Sequence, residues 1–531
     1  MKRSDLWGVV GTVVVAAGLL NGTARAVEPA DPRDWPMYQH DIRRSGFNAN
    51  ETKINRSSVA LLAPKWIFHA DNAITASPVV AHFQDFDHET EGAQPRKVVF
   101  VGSADENFYA VDAADGSLAW DQPFKADPAP GLAYNMFVSS GFIDKERGVV
   151  YVAGGYTMYA LDLYDGHVHW RFTTAWGNAS DGDGPGHGCA SPGAWYGGGE
   201  IETSPVMVDG IIYFGSDGDG WDPCTAAANR FPAIFAIDAD DGELQWFWRP
   251  HEPEPNDSQR RTCGDVWASI AVDPLEGLLY SVTSDCTRGE QKLYNEAIIA
   301  LPIAPAEGSV NAATKKRTEP ANWYYQPRLF DPYDYDFGST PLLFDANGKK
   351  YLGVGGKDGI YYVVERQRAA QPDTFRHASS PAGWQTRVVR GGFAGGFIGS
   401  TATDGTRIFG ATALFDTPTD SQSTVITPNP LVQPPFAHSF DAVTGDILWQ
   451  QLVPGPTFAA TTAVPGVVFV GSTAGTFSAL DAETGQVLWT TVGIGAISSG
   501  AAISDGEVFV GGGTTAESYG LGQGPLNALH A

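Results

Sequence analysis

Positive charge is scarce in this 531-residue chain: 34 Lys and Arg stand against 61 Asp and Glu, leaving a formal net charge of −27. A surface that acidic excludes a nucleic-acid partner, which needs a basic face for phosphates, and equally disfavours anionic lipid. Cysteine is scarcer still, with only Cys189, Cys224, Cys263 and Cys286. None of them forms a Cys-x-x-Cys-His run, so this chain attaches no c-type haem. Long apolar runs are absent after the first 20 residues, which excludes a later membrane-spanning helix of about 20 residues. Gly (62) and Pro (35) are abundant without a short period, which excludes collagen and marks a chain of many turns. The 43% of hydrophobic residues supplies ample material for a core.

The amino terminus has the layout of an export signal. Lys2 and Arg3 precede an apolar run from Leu6 to Leu20, then Thr23-Ala24-Arg25-Ala26 supplies an Ala-x-Ala cleavage site. The expected signal peptide is 1–26, with cleavage after Ala26, and the expected location is the periplasm or the exterior. No cysteine stands near the cleavage site to carry a lipid. In an oxidising compartment four cysteines suggest two disulfides, with three possible connectivities.

One unit recurs along the chain. An apolar strand ending in Gly is followed by a second strand, then Asp-Ala-x-x-Gly or a close variant, then a strand bearing Trp. Val98–Gly102 leads to Tyr109–Asp112, Gly116 and Trp120; Val467–Gly471 leads to Ser478–Asp481, Gly485 and Trp489. A Gly at such a hairpin accepts positive φ. About four short strands every 40–50 residues read as the blade of a β-propeller. Trp66, Trp120, Trp170, Trp246, Trp323, Trp384, Trp449 and Trp489 count eight blades. Pro64-Lys65-Trp66 is a fourth-strand ending with no strands before it, and the carboxy terminus has strands with no fourth. The expected fold is therefore an all-β, eight-bladed propeller of four-stranded antiparallel blades. A strand around Val59–Phe68 completes the last blade, after an amino-terminal segment at 27–58, so that 59–531 is a single domain. The alternative, two separate β domains, fits the uniform spacing poorly.

With strands A to D running from axis to rim, loops D–A and B–C open on one face. The inserts fall there: Asp217, Asp219 and Cys224 in a B–C insert, Cys189 and Cys263 in D–A inserts, Asp285 and Cys286 in a B–C insert. Asp334 and Asp336 follow in a D–A insert and Lys357 in the next B–C turn. A lone Asp in such loops is a turn residue for local reasons. Several converging on an axis repel one another unless a cation joins them, and hard oxygen ligands on flexible loops suit calcium.

These residues resemble the quinoprotein alcohol dehydrogenases, eight-bladed propellers that bind pyrroloquinoline quinone (PQQ) and calcium. Asp34-Trp35-Pro36-Met37-Tyr38, His40-Asp41 and Arg44-Ser45-Gly46 look most like the polyvinyl-alcohol dehydrogenase branch. Tyr333-Asp334-Tyr335-Asp336 resembles the family's Trp-Asp-Tyr segment, which implies that Asp334 is the catalytic base. Gly356-Lys357-Asp358-Gly359 resembles the turn whose Arg or Lys stands beside the quinone carbonyls, implying that role for Lys357. Asp265-Val266-Trp267 resembles the stretch whose Trp lies flat on the quinone, and Tyr280–Asp285 the strand end that supplies a metal-ligating Asn, here Asp285. The chain departs from the family elsewhere. The metal-ligating Glu falls where Asp217 or Asp219 stands, Ser139-Ser140 replaces the vicinal Cys pair at the cofactor, and Asp336 matches an extra carboxylate of rare-earth-dependent members.

The resemblance implies hydride transfer from an alcohol, possibly polymeric, to PQQ, with electrons leaving to a separate acceptor such as a cytochrome c. The rival expectation is a propeller without quinone that serves as a binding or assembly scaffold. The loop placement pairs the cysteines within blades. Peptide mapping under non-reducing conditions is expected to recover Cys189 joined to Cys224 and Cys263 joined to Cys286; a Cys189–Cys286 peptide overturns the pairing.

Overall fold

The computed structural model describes residues 30–86, 95–129, 132, 136–174, 199–218, 232–251, 263–285, 289–290, 293–328, 330–331, 334–369, 383–389, 391–392, 395–413, 436–513 and 528–531. Within them lie eight four-stranded antiparallel sheets. The only helical elements among the described residues are a short 3-10 turn, Val59–Leu61, and one helical turn, Arg366–Ala369. No helix there is long and apolar enough to cross a membrane.

Blade one comprises Val79–Phe83, Arg96–Gly102, Asn107–Asp112 and Phe124–Lys125. Blades two to seven begin at Phe142, Val206, Ala271, Leu342, Ala402 and Thr462 and repeat its order. Inner strands such as Val79–Phe83, Val149–Gly154 and Val467–Gly471 are buried along their whole length. That is why they read as unbroken Val, Ile, Phe and Tyr runs rather than alternating ones. Outer strands such as Ile447–Leu452 alternate with solvent.

Blade eight is built from both ends of the chain. Ala502–Ser504, Glu507–Gly511 and Ala528–His530 come from the carboxy terminus. Ile67–His69 pairs against Ala528–His530 as the fourth strand. The closing strand is thus shorter than the 59–68 stretch expected, because Val59–Leu61 turns before the chain extends.

The recurrent tryptophans weld neighbouring blades together. Trp120 of blade one donates its indole N–H to the carbonyl of Leu163 in blade two, and Trp170 to Ala239 in blade three. Trp384 bonds Ala442, Trp449 bonds Ala482, and Trp66 of blade eight bonds Ala113 of blade one. Trp489 of blade seven donates to Leu62, so the amino-terminal segment supplies the acceptor that blade eight owes its neighbour. Five of these indoles also lie on the hairpin glycine of the next blade: Trp66 on Gly116, Trp120 on Gly166, Trp170 on Gly242, Trp384 on Gly445 and Trp449 on Gly485. Full burial of an indole is worth roughly 4–6 kcal/mol of transfer free energy. Blade three departs from the pattern: Trp246 is covered by the Arg317 guanidinium and Trp248 makes the bond instead, to Glu319.

Two further structures organise the axis. A belt of hydroxyls joins the starts of the innermost strands. The backbone N–H of Ser77 donates to Ser140 Oγ, Ser140 to Ser204, Ser204 to Ser269, Ser269 to Thr340 and Thr340 to Ser400; Ala460 interrupts the series, and Gly500 N–H donates to Ser77 Oγ. Three residues deeper, the amino-terminal segment crosses beneath the belt. The carbonyls of Trp35, Pro36, Ile42, Arg43, Ser45 and Gly46 accept from Val80, Ile143, Val272, Leu343, Thr403 and Ala463, one innermost strand each of six blades. Arg44, buried, fans its guanidinium over the carbonyls of Tyr38, Ser204, Pro205 and Ile270. Burial lowers its pKa to about 10. The motif Asp34–Gly46 is therefore an axial plug.

The docking geometry makes a testable contrast between two glycines. Gly445 has φ +76° and a Cβ there would lie 2.5 Å from the Trp384 ring, whereas Gly405, at φ +86°, has open space around it. Gly405→Ala is expected to cost the left-handed backbone penalty of about 1–2 kcal/mol. Gly445→Ala adds the displaced indole and is expected to lower the thermal midpoint distinctly further; equal midpoints overturn the docking account.

Candidate active site

Blades three, four and five send their loops to one end of the axis. Asp217 follows the second strand of blade three, Ile211–Ser216; Asp285 follows that of blade four, Leu278–Val282; Lys357 follows that of blade five, Lys349–Gly355. Trp267 lies in the loop entering blade four and Asp334 and Asp336 in the loop entering blade five. The three loops are stitched by the backbone: Gly218 N–H donates to the Asp265 carboxylate, and Ser284 N–H to the Asp265 carbonyl.

Lys357 is the hub. Its Nζ lies 3.0 Å from Asp334 Oδ1 and 2.8 Å from Asp336 Oδ1. Its own backbone N–H donates to the Asp336 carbonyl at 2.9 Å. Asp336 is almost fully buried and accepts the Trp267 indole N–H through Oδ2 at 3.1 Å. The ammonium also stands 5.3 Å from the centre of the Trp267 ring, a cation–π contact. Asp334 keeps more solvent exposure than Asp336 and sits at φ +59°, a left-handed conformation that costs a non-glycine residue free energy, although Asp tolerates it better than most.

The cluster carries more negative charge than one lysine neutralises. Burial, with the neighbouring Asp336 adding repulsion against the Lys357 charge, pushes Asp285 up to about 7. Asp334 is driven well above the ordinary carboxylate range, again by burial first, with Asp336 and Asp285 adding to it and Lys357 opposing. Lys357 is held protonated by Asp334 and Asp336 despite its burial. Carboxylates gathered on two converging loops, with Asp285 and Asp334 raised by burial and then by repulsion, are the donor set that a hard divalent cation takes. Beside them an axial cavity of ≈220 Å³ is lined by Tyr38, Ser140, Trp267, Thr340, Ser400 and Phe458. The Trp267 indole that forms part of its wall is the same ring that Lys357 stands against.

The sequence-expected residues therefore separate. Asp285, Asp334, Asp336, Lys357 and Trp267 form one cluster. Ser140 lines the cavity, but its hydroxyl accepts from Ser77 as one link of the belt. Ser139 spends its hydroxyl on the backbone of Ala153, as Thr203 does on Gly215 and Ser499 on Gly511. The Ser139-Ser140 pair thus takes the place that Thr203-Ser204 takes in the next blade. Asp217 is buried on the loop of blade three. Asp219, Cys189, Cys224 and Cys286 lie outside the described residues, as do the signal segment and the aromatic residues of 175–198 and 219–231. Cys263 is disulfide-bonded.

Residues not singled out from the sequence also belong here. Arg328 bonds Glu296, Asp358 and the Tyr335 carbonyl directly beneath the cluster. Its only trace in the sequence is a single basic residue in an acidic loop, six positions before Asp334.

Comparisons with known proteins agree with this architecture. Residues 35–371 match the PQQ family described as glucose/ethanol/alcohol dehydrogenase, β-propeller domain, and residues 377–521 match the family described as outer membrane protein assembly factor BamB. The quinoprotein glucose dehydrogenase of Escherichia coli (strain K12) is 24% identical over 395 residues, 66% of this chain and 45% of that protein. A polyvinylalcohol dehydrogenase of a Pseudomonas species is 23% identical over 484 residues, 86% of this chain and 67% of that one. The chain thus spans less than half the length of the first relative. Among solved structures, a europium-containing methanol dehydrogenase superposes with a TM-score of 0.64 at 16% identity, covering 94% of this chain and 98% of its own, a likeness of fold. With the match over 35–371 embracing every member of the lysine–carboxylate cluster, the chain belongs to the PQQ family of glucose/ethanol/alcohol dehydrogenase β-propellers.

Proposed function

We propose that this protein oxidises an alcohol with PQQ as hydride acceptor and a divalent cation, calcium, at the Asp285–Asp334–Asp336 cluster. The observation that carries the reading is the triangle of Lys357, Asp334 and Asp336 beside Trp267. Bound there, the quinone supplies the hydride acceptor and the cation supplies Lewis acidity. Trp267 offers a flat apolar wall for the ring. Lys357 offers a fixed positive charge to oxygens that become more negative as the substrate is oxidised. Asp285 and Asp336 hold the cation, with Asp217 or Asp219 as a further ligand. Asp334, the more exposed of the triangle's two carboxylates, takes the proton of the substrate hydroxyl as general base while the adjacent carbon gives up its hydride. Electrons then pass to a separate acceptor of the cytochrome c kind.

The finer assignments rest on the sequence. The Ala-x-Ala site after Ala26 supports export to the periplasm, where cysteines oxidise. The Asp34–Gly46 motif and the 86% coverage by the Pseudomonas relative support a substrate like that of the polyvinyl-alcohol branch. The match of residues 377–521 to an assembly factor favours the scaffold reading. Against it stands the cluster itself: three buried or half-buried carboxylates and a lysine are costly to retain without a ligand.

Protein incubated with PQQ and Ca²⁺ and desalted is expected to retain quinone absorbance and reduce a dye with primary, secondary or polymeric alcohols. Asp334→Asn is expected to lower kcat by at least about 10³-fold, in the range of a lost general base, while quinone retention persists. A folded wild-type protein that keeps no quinone returns the weight to the scaffold.

Cation removal should also be visible in stability. An acid whose folded pKa is raised binds its proton longer in the folded than in the unfolded state, so stability falls as pH rises between the two values. For Asp285 the window runs from 3.8 to about 7. The thermal midpoint of chelator-treated protein is expected to fall across that window relative to the Ca²⁺-loaded protein, the gap widening towards pH 7. Parallel curves with and without Ca²⁺ overturn the cation site.

A further inference from the structure

The strained Asp334 needs something to hold it, and the residue that does so is Arg328. Its guanidinium is spread three ways. Nε lies 2.6 Å from Glu296 Oε2 at the end of the blade-four insert, and Nη1 lies 2.5 Å from Asp358 Oδ2, the neighbour of Lys357. Nη2 donates to the carbonyl of Tyr335, the residue between Asp334 and Asp336. The preceding peptide is held as well, because the Tyr335 N–H donates to the Asp331 carboxylate. Asp331 in turn shares a hydrogen bond with Glu296 and is anchored by the short ribbon pairing Gly289–Glu290 with Phe330–Asp331. Tyr362 completes the arrangement by donating its hydroxyl to Asp358 at 2.5 Å.

Glu296, Asp331 and Asp358 are each almost fully buried, and burial pushes Glu296 up to about 10. The expense of burying three carboxyl groups around one guanidinium is unexplained by packing, since an apolar replacement of similar volume is often as stable. What an apolar set cannot do is grip both the N–H and the C=O of Tyr335 while tying them to the Lys357 turn. The Asp331 carboxylate takes the N–H, and the planar Arg328 fork takes the C=O while reaching Glu296 and Asp358, which a point charge does not do in fixed directions.

We infer that Arg328 is a positioning residue: it locks the Asp334–Asp336 loop to the Lys357 turn and so fixes the base, the lysine and Trp267 in one geometry. The inference rests on the dehydrogenase reading for its effect on turnover, though not for the lock itself. Arg328 touches none of the reacting groups and acts only through Tyr335 and Asp358.

The test uses the full-length, PQQ- and Ca²⁺-loaded protein and its Arg328→Lys and Arg328→Ala variants. Arg328→Lys keeps the charge and removes the fork, and so decides the matter if Arg328→Ala does not fold. Hydrogen exchange of the peptide containing Tyr335 is expected to accelerate by about tenfold or more in Arg328→Lys, as a local opening is eased. The kcat is expected to fall by about 30-fold or more with KM within about threefold, since a base misplaced by an ångström loses rate rather than binding. Quinone affinity, read by tryptophan quenching, is expected to stay within about threefold, since the Trp267 wall remains. A folded Arg328→Lys with wild-type exchange overturns the lock; faster exchange with unchanged kcat overturns the positioning role. If the wild-type protein retains no quinone, the dehydrogenase reading fails and the exchange measurement still decides the lock.

Discussion

Every sheet in this protein has two edges, and unpaired edges are what the rest of the architecture is arranged to remove. At the rim the ring is closed by Ile67–His69 pairing with Ala528–His530, so that one blade is completed by both ends of the chain. At the axis the amino-terminal plug accepts one backbone N–H from the innermost strand of each of six blades. Between the two, the indoles of Trp66, Trp120, Trp170, Trp384 and Trp449 bridge to the next blade's hairpin carbonyl. The buried backbone groups of the inner strands would each cost free energy if left unmade. The plug is thus as much a part of the propeller as any blade.

A rigid ring permits an unstable centre. The acidic cluster gathers charge that no small, flexible loop would hold: burial and mutual repulsion raise both Asp285 and Asp334, and one lysine offsets only part of it. The loops that carry these groups come from blades four and five, and the fold sets the spacing between them. The strain at Asp334, in the left-handed region, is held from below by side chains rather than by the strands themselves. Stability and reactivity are in this way assigned to different layers, with hydroxyl belt and plug beneath and the charged cluster above.

The repeat was legible because it is local. A hairpin glycine at positive φ, a Trp four residues later and an apolar run ending in Gly are each short-range requirements, and blades one, two, three and seven meet them in full, while the copies ending at Trp323, Trp384 and Trp449 are degenerate. Blade three keeps the signature, yet Trp248 rather than Trp246 makes its inter-blade bond. The facing of the loops was also legible, because strand order alone decides which loops share a face. Ser139 and Ser140 illustrate the opposite. In sequence they stand where a cofactor contact belongs; in the fold their hydroxyls repeat what Thr203 and Ser204 do one blade on.

The sequence by itself determined the number of blades and the closure by the amino-terminal strand, which follow from periodicity, and the alternation of loops put Asp217, Asp219, Asp285, Asp334, Asp336 and Lys357 on one face. Trp267, Ser139 and Ser140 were named only by resemblance to the family's segments. Only the tertiary structure decided that Lys357 bridges two carboxylates, that Asp34–Gly46 is a plug, and that Arg328 with Glu296, Asp331 and Asp358 forms a lock beneath the cluster. Those depend on side chains brought together from blades distant in sequence, and no residue type or spacing encodes which buried carboxylate a given guanidinium will meet.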